Sequence, residues 1–372
     1  MLVSVSDSCR IVFLAPGTMA RVSVLTTLLA VVATVQAQCG AGAEVSVTGS
    51  GSSYQASKGA TSLYSGSSYL AAINAALASA GKGERVAVMA SGSIGASSIS
   101  VGSGKIFEGC GLITAASRSG HGAIESLNTD GAEIRYLNLT GPTYFGMLFY
   151  GTKDLKLGKI NITGGGLGIR FNRDNAANKN VTIDEVNVSG ASSHAVETWN
   201  IDGLKINKVI ARNVGECGLL LQKTTNAKVG LVDADNAGKG TGYAAFRMAN
   251  QNGKLSNGQY TTNVFVDKVV ARDGGRGVFC VSESGGAEIT SVDIQNTGNN
   301  AVLIENCYNI NIKGGTVKGG GEVRISARTE FANTRDVSIT LTVNDSTVKE
   351  SPCGTNTVWN ISGNAKKTIC TK

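Results

Sequence analysis

The chain has very little proline and few aromatic residues. Only 3 of its 372 residues are Pro, and Phe, Trp and Tyr together make up 5%. Charged residues are also scarce, at 16%. Disordered chains combine high charge with few apolar residues, so this composition excludes disorder. Val, Ile, Thr, Ser, Asn and 49 Gly dominate instead, a composition typical of short strands joined by tight turns.

Long apolar runs are absent except near the N-terminus, where one predicts a secretory signal peptide. Met19-Ala20-Arg21 precedes the mostly apolar run from Val22 to Val35, and Val35-Gln36-Ala37 fits a cleavage site. We predict that residues 1–37 are removed, with Met19 as a better start than Met1, and that the protein is secreted. No later run is long enough to span a bilayer, so no membrane contact is predicted.

Seven cysteines follow residue 37, and an odd number leaves at least one thiol unpaired in an oxidising compartment. None of their spacings fits a zinc site. We expect Cys217 to be buried and free. The predicted disulfides are Cys353–Cys370, Cys39–Cys110 and Cys280–Cys307.

Six Asn-x-Ser/Thr sequences agree with secretion and mark candidate glycosylation sites. Asn and Thr are also frequent in the turns of β-solenoids, and this second interpretation stays open. The six acceptors are Asn138, Asn161, Asn180, Asn187, Asn344 and Asn360.

A repeat of about 23 residues is the strongest signal. Its copies read apolar, variable, apolar, polar, turn, as in Ile160-Asn-Ile-Thr-Gly164 and Val186-Asn-Val-Ser-Gly190. Short alternating segments precede and follow most copies, such as Leu204-Lys-Ile-Asn207 and Gly218-Leu-Leu-Leu-Gln222. Alternation places Val, Ile and Leu inside, and Gly or Asn supplies the left-handed corners. Proline is rare because it would delete a ladder donor in every coil.

Three strands per coil predict an all-β, single-stranded, right-handed parallel β-helix. The leucine-rich repeat, a competing solenoid, is excluded because its consensus does not recur. We predict an N-terminal cap at 38–84, with an amphipathic helix from Tyr69 to Ala80 over the open end of the core. The β-helix occupies 85–346, and a disulfide-closed C-terminal cap leaves the repeat at 347–372.

On this coil length and pattern, the chain resembles the pectin-lyase-like superfamily of secreted right-handed β-helices over about residues 85–345. The resemblance implies that a sugar chain lies along one sheet face. It carries over no activity, because the hydrolase motif set is absent: Gly120-His121-Gly122 occurs alone. Asn200-Ile201-Asp202 also does not match the pectate-lyase motif Trp-Ile-Asp-His.

One coil is longer than the others. The coil after Asn236 is about 14 residues longer, and the sequence places this extra length at Asn250–Tyr260. Long loops on a solenoid usually wall a binding site, although a neutral surface insertion is the alternative.

Polar side chains at outward positions of the successive second strands predict a functional stripe beside this loop. Alignment of Gly218–Gln222 with Tyr243–Arg247 places Gln222 and Arg247 in one column. We expect His194, Glu197 and Arg247 to be catalytic. Each has a structural alternative: His194 as a turn hydrogen bonder, Glu197 as a solvated charge and Arg247 as a cover for the core. The predicted substrate-binding residues are Arg170, Asn172, Trp199, Gln222, Lys223, Glu305 and Arg324.

Two reactions could use this stripe. In β-elimination on a uronate, a base such as His194 removes the proton α to the carboxylate while cations stabilise the developing charge. A glycoside hydrolase needs two carboxylates, for which Glu197 and Glu305 are the candidates. We favour a lyase acting on an acidic, pectin-like polysaccharide. The alternatives are a non-catalytic wall or carbohydrate-binding protein and, third, the hydrolase.

Charge and acidic residues say little about further partners. The net charge of +7 favours an acidic polymer, but no Lys/Arg cluster with interleaved aromatics predicts nucleic-acid binding. No cofactor is expected. Calcium is not indicated beyond weak binding at Asp233 and Asp235, which share a turn. Because end caps block stacking, we expect a monomer.

Overall fold

The computed structural model describes residues 39–371. The predicted signal peptide, residues 1–37, and the start at Met19 lie outside the described residues. Within residues 39–371, no helix has the length and apolar character needed to cross a membrane.

Almost all of the regular secondary structure in the described part is β-strand. In chain order its elements are β1 Val45–Ser50, β2 Ser53–Lys58, β3 Thr61–Gly66, α1 Tyr69–Ser79, β4 Arg85–Val88, β5 Gly92–Gly95, β6 Ile99–Ser100, β7 Ile106–Ala115, β8 Gly122–Leu127, β9 Glu133–Thr140, β10 Phe145–Tyr150, β11 Lys156–Thr163, β12 Leu167–Phe171, β13 Asn178–Ser189, β14 Val196–Trp199, β15 Ile201–Arg212, β16 Leu219–Gln222, β17 Thr225–Asp235, β18 Phe246–Ala249, β19 Val264–Arg272, β20 Val278–Cys280, β21 Ser284–Gln295, β22 Asn300–Glu305, β23 Cys307–Ile312, β24 Gly315–Lys318, β25 Glu322–Ser326, β26 Arg335–Asn344, β27 Thr347–Glu350, β28 Thr355–Ser362 and β29 Lys366–Thr368.

These strands wind into a right-handed parallel β-helix, which confirms the predicted fold class. The short strands β6, β8, β10, β12, β14, β16, β18, β20, β22, β25, β27 and β29 form one sheet, the short-strand sheet. The remaining strands form a sheet of 17, the long-strand sheet. Each coil contributes to both sheets, and every pairing between coils is parallel.

The two strands predicted before each corner are one long bent strand. In β13, Val181 and Ile183 face the core, and so do Val186 and Val188. The inward parity changes at Asp184-Glu185, where two successive residues face outward. The strand turns a corner there without losing its ladder, so most full coils have two strands rather than three. The coil of β23, β24 and β25 has three.

Asparagine and aspartate occupy the corners at which the repeats end, as predicted. Asn213, Asn236, Asp273 and Asn296 all have positive φ, between 53° and 57°. Asn236 Nδ2 donates to Asn213 Oδ1 at 2.7 Å, which links the corners of successive coils. A short amide side chain tolerates the left-handed conformation, and it can also hydrogen-bond the equivalent side chain of the neighbouring coil.

The two ends differ in how well the sequence predicted them. The predicted helix forms as α1, whose Ala72, Ile73 and Ala76 join the main core. The C-terminal segment was expected to leave the repeat. Instead, β27 pairs with β25, and β28 pairs with β26. The β-helix therefore continues beyond residue 346, because Val348 and Thr357 still supply buried side chains.

The disulfides match the predicted pattern. Cys280 joins Cys307, in the next coil, with Cα atoms 6.2 Å apart, and Cys353 joins Cys370 at 5.8 Å. Cys217 is buried and has a free thiol, as expected. Two further cysteines, Cys39 and Cys110, are also disulfide-bonded.

Candidate functional site

The register of the short-strand sheet defines one outward column of side chains. Each member pairs with the next across neighbouring strands, and every member is either charged or apolar. In order from β8 to β27, the column holds Glu125, Leu148, Arg170, Glu197, Leu220, Arg247, Phe279, Leu303, Arg324 and Lys349.

Arg247 lies in this column and not beside Gln222, where the sequence placed it. Gln222 pairs with Ala249, and Arg247 pairs with Leu220. The prediction aligned the segment beginning at Tyr243 with the preceding strand, an error of two residues. The core decides the true register, because Phe246 and Met248 are the residues that fill it.

The extra residues of the long coil are divided between two places. Asp235 and Phe246 are eleven residues apart, whereas their register partners Arg212 and Leu219 are seven apart. A short insertion therefore precedes β18, and it carries Tyr243, which the sequence analysis did not select as a site residue.

The larger insertion follows β18. Ala249 and Val264 are fifteen residues apart, whereas their partners Gln222 and Ala227 are five apart. Most of this loop turns toward the long-strand sheet, where the hydroxyl of Tyr260 donates to the carbonyl of Glu283. Only its first residues border the short-strand sheet, so the loop lies along one edge of the predicted stripe and does not enclose it.

Glu197 is the centre of a closed hydrogen-bond network. It is 6% exposed. Arg170 Nη1 donates to its Oε2 at 2.5 Å, while Trp199 Nε1 and Gln222 Nε2 donate to its Oε1 at 3.0 and 2.8 Å. Asn250 Nδ2 in turn donates to Gln222 Oε1 at 2.5 Å. A buried carboxylate with both oxygens occupied holds its neighbours in place, so we expect Glu197 to be a positioning residue.

His194 is not free to act as a base. The ring is buried, its Nδ1 accepts the N–H of Cys217 at 3.0 Å, and its Nε2 lies 3.0 Å from Glu216 Oε2. Burial lowers the pKa of His194, whereas the side chains of Cys217 and Glu216 raise it and dominate. Both nitrogens are engaged, so a substrate proton has no open nitrogen to reach.

Tyr243 extends this network toward solvent. Its ring meets the His194 ring edge to face at 5.8 Å, and its hydroxyl interacts with Glu216. This interaction raises the pKa of Tyr243, and Arg247 acts in the opposite direction. Interactions with His194, Ser193 and Tyr243 lower the pKa of Glu216 to about 2.

Two arginines lie beside this tyrosine, and neither forms an ion pair with a carboxylate of the described residues. The guanidinium of Arg247 lies 5.1 Å from the centre of the Phe279 ring, and that of Arg276 lies 4.7 Å from it. Arg276 donates only to neutral acceptors, the Thr241 carbonyl and Asn300 Oδ1. Arg247 Nε has no hydrogen-bond partner within residues 39–371.

Burial and mutual repulsion act on Arg276. Burial lowers its pKa, Glu305 raises it, and Arg247 lowers it again. Two neighbouring cations that lack an ion pair attract an anion. We call Tyr243, Arg247, Arg276 and Phe279 the arginine patch.

An apolar cluster surrounds the patch. Leu220, Phe279 and Leu303 face outward and bury each other with Cys217, and Tyr243 packs against them. A sequence alone hides this arrangement, because Arg276 and Phe279 lie one coil away from Arg247 and about 30 residues along the chain.

The other predicted substrate-binding residues lie around the patch with partners of their own. Glu305 pairs with Arg328 at 3.1 Å, and Arg324 Nη2 lies 3.5 Å from the Ser351 carbonyl. Asn172 Oδ1 accepts the N–H of Asp174 at 3.4 Å. Lys223 is exposed at the corner after β16.

The two carboxylates that a hydrolase would need are far apart. Glu197 is in β14 and Glu305 ends β22, four strand steps away. Strands lie about 4.8 Å apart, so the two are separated by roughly 19 Å. Hydrolases place their carboxyl pairs within ~5–10 Å, and this pair therefore does not fit one glycosidic bond.

Three of the six predicted glycosylation acceptors form a ladder on the long-strand sheet. Asn161 Nδ2 donates to Asn138 Oδ1 at 3.0 Å, and Asn187 Nδ2 donates to Asn161 Oδ1 at 3.1 Å. Asn180 and Asn360 are exposed outside this ladder, and Asn344 is half-buried. The predicted weak calcium site is partly neutralised, since Asp233 pairs with Arg212 at 2.8 Å.

Comparison with known proteins supports the fold. No protein-family profile matches the sequence, and no curated protein matches it. The A-module of mannuronan C-5 epimerase AlgE4 from Azotobacter vinelandii has a TM-score of 0.59 at 13% identity, over 81% of this chain and 94% of that chain. The AlgE6 A-module from the same organism has a TM-score of 0.49 at 10% identity, over 81% and 93%.

Proposed function

We propose that the protein is a secreted, carbohydrate-active enzyme that cleaves a uronate-containing polysaccharide by β-elimination at the arginine patch. One observation carries the proposal: Arg247 and Arg276 both lie over the Phe279 ring, beside Tyr243, and neither is ion-paired to a carboxylate of residues 39–371. A uronate carboxylate supplies the missing negative charge. The disulfides agree with an oxidising compartment outside the cell.

The arginines would bind the uronate carboxylate and stabilise the charge that develops on it. Removal of the proton α to this carboxylate gives an enolate-like intermediate, which nearby cations stabilise. Planar guanidinium groups match the geometry of a carboxylate. The cation–π contacts with Phe279 keep both groups in place without neutralising them.

Tyr243 would transfer the proton in place of His194. As the phenolate, its oxygen takes the proton α to the carboxylate. The bond from the β carbon to the glycosidic oxygen then breaks, a carbon–carbon double bond forms, and the phenol returns the proton to the leaving oxygen. Atoms and charge balance, and the tyrosine is regenerated.

Glu216 and His194 would hold the tyrosine ring in this position. The mechanism needs no metal, so we propose that chelators leave the activity unchanged. The alternative is a protein that binds the polymer at the same patch without turnover.

Incubation with uronate polymers in D₂O separates these functions. Elimination gives unsaturated ends, visible by nuclear magnetic resonance. The solved neighbour is named as a C-5 epimerase, and epimerisation would instead place deuterium at C5 while the chains keep their length. Saturated new ends would indicate hydrolysis, and unchanged polymer with retained binding would indicate a binding protein. Epimerisation, hydrolysis or binding without turnover would each contradict the lyase proposal.

A further inference from the structure

A groove with both apolar and charged lining residues lies on the long-strand sheet, away from the arginine patch. It crosses β15, β17 and β19 at the corner of these bent strands and has a volume of about 430 Å³. The side chains that can contact a ligand there are Lys205, Asn207, Lys228, Phe265 and Asp267, all of them exposed.

The two lysines of the groove outnumber its one carboxylate, that of Asp267. Lys205 and Lys228 are register partners, so they point outward from neighbouring strands. Neither belongs to any ion pair in the part of the chain that the structure describes. Lysines elsewhere on the same sheet are paired: Lys208 with Glu185 at 3.5 Å and Lys313 with Glu288 at 2.6 Å.

An exposed aromatic ring continues the row of lysines. Phe265 is the register partner of Lys228 and is 38% exposed, on a sheet whose other large apolar side chains mostly face the core. Aromatic faces stack on the apolar faces of sugar rings, and amide and carboxylate groups bond their hydroxyls. Asp267 supplies such a group on the same strand as Phe265. Asn207 supplies an amide two strands away, where its Nδ2 also donates to Asp184 Oδ1 at 3.2 Å.

Glycine keeps the floor of the groove open. A Cβ atom at Gly230 would lie 2.5 Å from the carbonyl oxygen of Asn207. A side chain there would clash with the backbone of the neighbouring coil, so the position between the lysines and Asp267 stays unfilled.

We propose that this groove is a second binding site for an acidic oligosaccharide. One sugar ring stacks on Phe265, and an adjacent anionic group contacts Lys205 and Lys228. The site is non-catalytic. It binds one part of a polymer while a distant part of the same polymer lies at the arginine patch. The binding claim stands without the lyase proposal, because it rests on groove residues alone.

Binding is measured by calorimetry on the whole mature protein carrying Arg247→Ala, which weakens the first site. Short oligomers of a uronate, a sulfated sugar and a neutral sugar are compared. We expect the uronate and sulfated oligomers to bind, more weakly at high salt, and the neutral oligomer not to bind. Equal binding of the neutral oligomer would overturn the proposal, as would no binding at all.

Two variants are made on this background: Phe265→Ala, and the double substitution Lys205→Ala with Lys228→Ala. We expect each variant to bind the oligomers about tenfold more weakly or worse. Lys313→Ala, on the same sheet but outside the groove, is the matched control and should bind as the parent. Retained affinity in the groove variants would overturn the assignment.

The two proposals can fail separately. In otherwise wild-type protein, the groove variants should keep their turnover of short oligomers, which reach only one site. Loss of that turnover would contradict a separate site. Because the substituted residues are exposed, we expect the variants to fold normally, and circular dichroism checks this.

Discussion

The guanidinium of Arg247 lies 5.1 Å from the centre of the Phe279 ring, one coil further along the β-helix. The ring also holds Arg276, at 4.7 Å. Cation–π contacts position a charge without cancelling it, unlike the ion pair of Arg170 with Glu197 in the same column. The patch therefore keeps two positive charges available to a ligand.

Replacing Arg247 tests the role of this charge. We expect Arg247→Ala to lower kcat/KM by ~10²–10³-fold, because a group that stabilises developing charge is lost. Its Nε has no hydrogen-bond partner among the described residues, so the melting temperature should change little. Arg118→Ala, an exposed arginine far from the patch in sequence, is the control. Unchanged turnover in Arg247→Ala would remove the patch from the mechanism.

Tyr243→Phe tests proton transfer. The variant keeps the ring contact with His194 but loses the hydroxyl, so we expect kcat to fall ~10²–10⁴-fold while oligomer affinity is retained. Rate and binding measurements on the same preparation check this split. Equal losses in affinity and in kcat/KM, with kcat unchanged, would indicate a binding role instead.

The pH dependence of turnover tests whether Tyr243 acts as the base. The pKa of Tyr243 is raised, so its phenolate is scarce at neutral pH and increases as the pH rises. We therefore expect log(kcat/KM) to increase steadily from neutral into alkaline pH. A profile that is already flat above pH ~7 would contradict Tyr243 as the base, since even an unperturbed tyrosine has a pKa of about 10.

Glu216 links acid stability to the patch. Its pKa is lowered to about 2 from 4.5, so its contribution to stability is present above pH 4.5 and is lost as the pH falls toward 2. We expect Glu216→Gln to lower the unfolding free energy at pH 7 by only ~1 kcal/mol, since the group is partly exposed. Urea titrations should show this difference shrinking at pH 3. An equal difference at both pH values would contradict the shift.

The C-terminal disulfide should stabilise the last coil. Cys353 and Cys370 enclose a separation of 17 residues, and a loop of that size is worth ~3 kcal/mol in the chain-entropy estimate. We expect the double Ser variant to lose amide protection in β28 and β29 while β13 and β15 keep theirs. Hydrogen exchange measures both regions at once. Unchanged protection in β28 and β29 would show that core packing alone holds the end.

The sequence predicted the coil well, because the spacing of the repeat equals the spacing between residues that pair in neighbouring coils. Asn138 and Asn161 are 23 residues apart and are direct partners in the sheet. The apolar alternation also gave the inward residues, such as Val186 and Val209. The bent strand was missed because a change of inward parity at Asp184-Glu185 looks like a gap between two strands.

The candidate site was predicted only in part, for a geometric reason. Outward side chains carry no periodic signal, so Arg247 could not be assigned to a column without the register that Phe246 fixes. Arg276 and Tyr243 lie in connections between strands, where sequence alone does not say which face they reach. Glu197 and His194 lie near the patch, as expected, but buried partners occupy both of them.

The most direct test of the central claim is the ultraviolet absorbance of unsaturated uronates, followed over time with the purified mature protein. A panel of uronate polymers is used, with and without a chelator, alongside the Tyr243→Phe and Arg118→Ala variants. We predict rising absorbance on at least one polymer, unaffected by the chelator, retained in Arg118→Ala and lost in Tyr243→Phe. No rise on any polymer, or an equal rise with Tyr243→Phe, would contradict a lyase site at the arginine patch.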